Sequence, residues 1–374
     1  MKKNKVYFKN LNSFRFFAAF FVIIHHVELF LIKENLIQFY SLKIIKGAGQ
    51  IGVTFFFVLS GFLITYLLLH ENRMTQNISI KNFYLRRILR IWPLYYLLVI
   101  LGFFLFPNIP SIYKNAQNIL NERFYQKLIE FIAFIPNFTL SKFNEVPFAS
   151  HLWSIGVEEQ FYLIWPIIIK FLKNKLNAML YIIFGMLFLK AQYFIFNSLL
   201  EFDIDFFNTF REFLRLTRLE CMAIGGIGAY ILHNKKHNIL NLIFSKWVQY
   251  ITYILISILI IFNILIPLLH NYIYSFLFII LILNISSNSK SLINLENKTL
   301  HYLGKISYGL YMYHPICIAI SFWIMRNVYI DLIDISYFDI LILSVISFTL
   351  TFFVSIISYH FIESKFLKLK TYFK

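Results

Sequence analysis

The stretch Gly47–Leu68, GAGQIGVTFFFVLSGFLITYLL, contains no Asp, Glu, Lys or Arg. As a helix rising 1.5 Å per residue it is about 33 Å long, enough to cross a hydrocarbon layer of about 30 Å. Similar apolar runs lie on both sides of it, at about 11–32, 86–106, 158–175, 177–198, 218–233, 246–266, 268–286, 305–325 and 337–361. The 374-residue chain is 59% hydrophobic and 14% charged, against about 25% charged in soluble domains. These features predict an all-α, polytopic transmembrane helical bundle of about ten spans. Residues 1–374 read as a single membrane domain with no appended soluble domain.

The net charge of +17 is split among short loops between the apolar runs. This points to topology control and contact with membrane lipids rather than nucleic acid. With the N-terminus inside, 22 Lys and Arg fall on the cytoplasmic side and 11 outside. Acids such as Glu201, Asp203, Asp205, Asp331 and Asp334 fall outside, so both termini are expected to be cytoplasmic. The run 129–140 is broken by Pro136 and Asn137 and reads as a re-entrant or interfacial piece. Counting it as a span would reverse every later loop. Lys2, Lys3, Lys5 and Lys9 mimic a signal peptide, but His25, His26 and Glu28 follow where a small-residue cleavage site would stand. An uncleaved first helix is expected. Cys221 and Cys317 lie inside apolar runs and read as small buried hydrophobes.

Polar residues within these runs are costly, so each asks for a reason. His151–Pro166, HLWSIGVEEQFYLIWP, sets His151, Trp153, Ser154 and the pair Glu158 and Glu159 beside hydrocarbon. Packing does not need two adjacent carboxylates. In the first run Arg15 and His26 are eleven residues apart, so they share one helix face about 16 Å apart. Ala18, Ala19 and Val22 between them leave room for a partner or ligand. Phe83–Tyr96, FYLRRILRIWPLYY, carries Arg86, Arg87 and Arg90, whose forked guanidiniums suit phosphate, although positive-inside anchoring would use them equally. Gly304–Pro315, GKISYGLYMYHP, aligns Ser307, Tyr311 and His314 as one polar stripe, which could also simply bond helices together. The glycines at 47, 49, 52 and 61 suggest close helix packing. No spacing resembles a metal site, and none is expected.

At these segments the chain resembles the acyltransferase 3 family of bacterial integral-membrane O-acyltransferases. LNSFR followed by His26 keeps the family's Arg–His spacing, with Asn12 and Ser13 in place of the usual acid and glycine. GVTFFFVLSGFLIT, FYLRRILRIWPLYY, HLWSIGVEEQFYLIWP and LGKISYGLYMYHP match its later signatures in order. The resemblance implies transfer of an acyl group, usually acetyl, from a cytoplasmic thioester such as acetyl-CoA to a sugar hydroxyl of a surface polysaccharide or lipopolysaccharide. It implies residence in the bacterial cytoplasmic (inner) membrane. In that scheme His26 is a general base oriented by Glu158 or Glu159, for which neutral imidazole is well matched. Arg87 and Arg90, helped by Arg15, hold the acyl-CoA phosphates. His151, Trp153, Ser154, Tyr311 and His314 line the acceptor end, with Trp153 stacking on a sugar. A covalent acyl-histidine is a further route. The competing expectation is a transporter or flippase for a lipid-linked saccharide, which would have no need for a phosphate cradle on one face only.

Overall fold

The uncharged run around Gly47–Leu68 forms the middle of a 33-residue helix in the computed structural model, which describes residues 6–109, 112, 115–143, 145–200, 205–329 and 336–373. Lys2, Lys3 and Lys5, with Glu201, Asp203, Asp331 and Asp334, lie outside the described residues. In chain order the helices are α1 (Leu11–Lys33), α2 (Lys43–Thr75), α3 (Ile80–Ile100), α4 (Ala116–Asn121), α5 (Phe124–Ile132), α6 (Pro136–Phe143) and α7 (Trp153–Phe171). There follow α8 (Lys175–Leu200), α9 (Asp205–Leu216), α10 (Leu219–His233), α11 (His237–Phe244), α12 (Lys246–Phe262) and α13 (His270–Ser287). The chain ends with α14 (Lys298–Lys305), α15 (Ser307–Ile324), α16 (Tyr337–Ser358) and α17 (Ser364–Leu369). No strand occurs among the described residues.

Local chemistry sets many of the boundaries. Ser79 caps α3 by accepting from the Asn82 amide, and Ser245 caps α12 by accepting from Val248. Ser336 and Asp339 form a reciprocal capping box at α16. The run 129–140 becomes α5 and α6, with a break at 133–135 and Pro136 opening the second helix.

Each of the ten apolar runs forms a helix, but they are not equivalent. Among the described residues seven helices are long and apolar enough to cross a membrane, and an eighth joins them if α11 and α12, bent by 61°, count as one span. The other two, α7 and α10, fall short of the expectation for opposite reasons. The first carries Glu158, Glu159 and Lys170 within 19 residues, and the second has only 15 residues. Protein surrounds α10 instead of lipid: it packs on α2, α8 and α13.

Small residues make this packing close. A Cβ on Gly61 of α2 would lie 1.9 Å from the Met222 carbonyl oxygen, and one on Gly225 of α10 would lie 2.1 Å from that of Val58. The two helices therefore cross backbone to backbone, as the glycine pattern predicts. The face between Arg15 and His26 has the same use. The Ala18 carbonyl abuts Gly52 of α2, and Ala18, Ala19 and Val22 are buried. The room left by those small side chains is filled by a helix, not kept for a ligand.

Candidate active site

Helices α1, α2, α3, α7 and α15 line a partly open cavity with about 780 Å³ of non-protein space. Arg15, Arg87 and Arg90 line it together with Ser60, Ser154, Glu158, Tyr162, Ser307, Tyr308 and Tyr311. Arg87 and Arg90, one turn apart, present the same face of α3. Arg86 is turned away and bonds Glu71 and the Phe373 carbonyl, each at 2.9 Å, so it leaves the expected arginine cluster.

The cavity lining carries more positive than negative charge. Among the described residues none of Arg15, Arg87 and Arg90 forms an ion pair. The Nε atoms of Arg15 and Arg87 are buried without an acceptor. Arg87 lies over the rings of Phe83 and Tyr162, at 5.6 and 5.7 Å from their centres. The single carboxylate in the lining, Glu158, accepts from Ser60 Oγ and from the Tyr162 hydroxyl, both at 2.9 Å. Even with Glu158 ionised, the lining keeps two positive charges in excess. Unmet buried cations are expensive, and an anionic ligand with several oxygens would relieve that cost.

Successive residues on a helix diverge by 100°, which separates the two glutamates. Glu159 faces α3, where Trp92 Nε1 donates to it at 3.0 Å. Neither carboxylate orients His26. That role falls to a backbone carbonyl: His26 Nδ1 lies 2.8 Å from Val22 O on its own helix. A carbonyl only accepts, so Nδ1 carries the proton, and in the neutral ring Nε2 keeps its lone pair.

The inner end of the cavity meets a row of imidazoles. Tyr311 donates to the His151 carbonyl at 2.9 Å, and Ser154 Oγ lies 2.6 Å from the Tyr311 hydroxyl and 3.3 Å from the same carbonyl. The Tyr311 ring touches those of His151 and His314, and His314 in turn touches His26. His151, Ser154, Tyr311 and His314 are thus brought together, and they join the cavity to His26.

Trp153 stands apart from the expected sugar platform. The Arg218 guanidinium covers its ring at 5.3 Å and Phe57 packs edge-on at 5.9 Å. Arg218, which also donates to Thr54 Oγ1 at 3.2 Å, went unnoticed in the sequence, as did Ser60, Tyr162 and Trp92. Tyr162 had one readable signal, its position four residues after Glu158. Arg218 sits at the edge of a run and looks like any flanking charge. Among the described residues no group of three or more His, Cys, Asp or Glu side chains is arranged to hold a metal ion.

The helices and this cavity define a multi-pass membrane protein with an arginine-lined cavity beside a chain of imidazoles. The chain belongs to the acyltransferase 3 family, whose model, described as an acyltransferase domain, matches residues 8–360. A Staphylococcus aureus (strain COL) protein that provisionally carries the name O-acetyltransferase is 28% identical over 386 aligned residues, covering 98% of this chain and 58% of that protein. O-acetyltransferase OatA of Staphylococcus aureus (strain NCTC 8325 / PS 47) is 33% identical over 171 residues, covering 45% of this chain and 26% of that protein. The chain therefore spans a little over half the length of the first of these relatives. No solved structure matches it.

Proposed function

We propose that this chain is an O-acyltransferase that moves an acetyl group from acetyl-CoA to a hydroxyl of a surface polysaccharide or lipopolysaccharide sugar. The observation that carries the reading is the cavity lined by three arginines, two of them with a buried Nε that lacks an acceptor, ending against imidazoles that lead to His26. Arg15, Arg87 and Arg90 would hold the phosphates of acyl-CoA. Glu158 would offset part of the positive charge and keep Ser60 and Tyr162 in place while the cavity is empty. Ser154, Tyr311, His151 and His314 form the end toward which the thioester would point.

His26 Nε2 takes the proton of the acceptor hydroxyl as its oxygen bonds to the thioester carbonyl carbon. The C–S bond breaks with its electron pair on sulfur, and the thiolate recovers a proton from the imidazolium. The products are an ester and a free thiol, with His26 regenerated. Glu159, bonded to Trp92, would position α3 and not the base.

Ten spans with both termini cytoplasmic, in one membrane domain of the bacterial inner membrane, suit this reading. That topology sets Arg15, Arg87 and Arg90 toward the cytoplasmic donor and His26 in the outer half. Of the two helices that fail as independent spans, α10 would cross packed among α2, α8 and α13, while α7 leaves Leu163, Ile164, Ile167 and Phe171 exposed. A transporter for a lipid-linked saccharide gains no support from the family match.

The test compares surface glycans by mass spectrometry in a deletion strain and in strains complemented with wild type or His26→Ala. One acyl mass restored by wild type and lost about 10²–10⁴-fold in rate with His26→Ala is expected. Missing or shortened glycans with no mass difference of one acyl group would sink the acyltransferase reading.

A further inference from the structure

The donor cavity and the base do not share one space. Arg15, Arg87 and Arg90 line the cavity, but His26, His151 and His314 do not. Around Ser154 and Tyr311 the lining turns apolar, with Phe56, Phe57 and Ile155. Tyr311 stands at the boundary. Its ring centre is 5.7 Å from those of His151 and of His314, and Phe56 packs edge-on against it at 6.1 Å. His26 lies one ring further on, 4.6 Å from His314 between centres. His314 is 0% and His151 3% exposed, whereas His26 is partly exposed although it does not line the cavity.

The boundary is fastened from both sides. The Tyr311 hydroxyl donates to the His151 carbonyl at 2.9 Å and lies 2.6 Å from Ser154 Oγ. In return His151 Nε2 donates to the Met312 carbonyl at 3.0 Å. The turn Ser150–Leu152 and α15 therefore clasp each other, and a thioester held by the arginines meets Tyr311 before it meets His26.

We propose that Tyr311 is a specificity-determining residue, a partition that keeps the thioester and cavity water from His26 until an acceptor is present. It thereby selects a sugar hydroxyl over water as the group that receives the acyl chain. This inference rests on His26 being the base. The acceptor reaches His26 from the side on which that ring is exposed, not through the arginine cavity. Hydrogen bonds between neutral groups are a modest restraint, and sugar hydroxyls can replace those that hold Tyr311. Without the partition, water gives a proton to His26 Nε2 as its oxygen bonds to the thioester carbonyl carbon. The C–S bond breaks and the thiolate takes the proton back, leaving acetic acid and free thiol. Closing a site against such hydrolysis is a general use of an occluding side chain.

The experiment measures thiol release from acetyl-CoA by the full-length protein in detergent, with no acceptor added. Wild type, Tyr311→Phe and Tyr311→Ala are compared, each shown to bind the donor by the rise in Tm that acetyl-CoA causes. Acetylation of surface glycans by the same variants is followed in complemented cells by mass spectrometry. Expected for Tyr311→Ala is thiol release about tenfold or more above wild type, with less glycan acetylation. Tyr311→Phe keeps the ring and loses the bonds of the hydroxyl, so its leak should be smaller but still above wild type. Should Tyr311→Ala not fold, the isosteric Tyr311→Phe decides alone. Thiol release at the wild-type level in the variants that bind donor overturns the proposal. So does a Tyr311→Phe protein that neither transfers nor leaks, since its hydroxyl would then take part in the reaction itself. A leak that persists when His26→Ala is added would instead remove the base assignment beneath it.

Discussion

Two sets of buried cations in this protein are treated in opposite ways. Lys190, within the otherwise apolar α8, meets Glu220 of α10 at 2.5 Å, with the glutamate fully buried. Arg15, Arg87 and Arg90 line the cavity with no ion pair among the described residues. A charge that only has to be buried is given a partner, whereas a charge kept for a ligand, the role proposed for the three arginines, is not. The first arrangement holds helices together; the second leaves free energy that binding can recover.

The strongest test of this contrast breaks the closed pair. Glu220→Ala leaves Lys190 buried and alone, for which about 3–5 kcal/mol of destabilisation is expected. Thermal unfolding in detergent should show a large loss. Removing both charges together, Lys190→Met with Glu220→Leu, should recover most of it. If Glu220→Ala unfolds like wild type, the pair is not what joins α8 to α10.

The cavity should respond differently. Arg90→Ala removes a cation that forms no ion pair among the described residues, so thermal stability should change far less than with Glu220→Ala. The donor KM should increase about tenfold or more, the worth of one charge-assisted contact of about 1.4 kcal/mol or above, with kcat little changed. A fall in stability with donor KM untouched would place Arg90 among the structural charges and erase the contrast.

How far the sequence foretold this site depends on whether a residue acts through its own position or through a distant neighbour. The apolar runs announced the helices because burial in lipid demands length and absence of charge, and all ten runs became helices. Arg87 and Arg90 were legible because a three-residue spacing fixes their common face. Periodicity could not say that Arg86 would bond Glu71 and the Phe373 carbonyl, since those partners are 15 and 287 residues away. The same holds for His26, whose orienting carbonyl is four residues back, where side-chain motifs do not look. Trp153 was readable as an aromatic beside a polar patch, but Arg218, which covers it, is 65 positions further along. Lys190 and Glu220 did carry a signal, as isolated charges in or beside apolar runs, and the cost of such charges makes a mutual pairing the simplest explanation.

A third charge, outside the membrane-spanning helices, sets the low end of the scale. Glu296, before α14, accepts from the Asn10 amide at 2.6 Å and from the Tyr7 hydroxyl, tying the N-terminal segment to the 288–297 loop. Its partial burial pushes the carboxyl up, but the hydrogen bonds from Asn10 and Tyr7 outweigh this and hold it below the ordinary 4.5. A carboxylate lowered on folding contributes stability above its unfolded value and loses that contribution as pH falls through the folded one. Amide exchange at Asn10 should therefore be slow at neutral pH, relative to the intrinsic rate, and lose protection as pH drops below about 4.5. Glu296→Gln should give a lower protection that no longer varies over that range. Because water reaches this carboxylate, the effect should stay local, leaving thermal unfolding and donor KM unchanged. Were Glu296→Gln to unfold the protein as Glu220→Ala does, solvent exposure would not be what separates a local charge from one that joins helices.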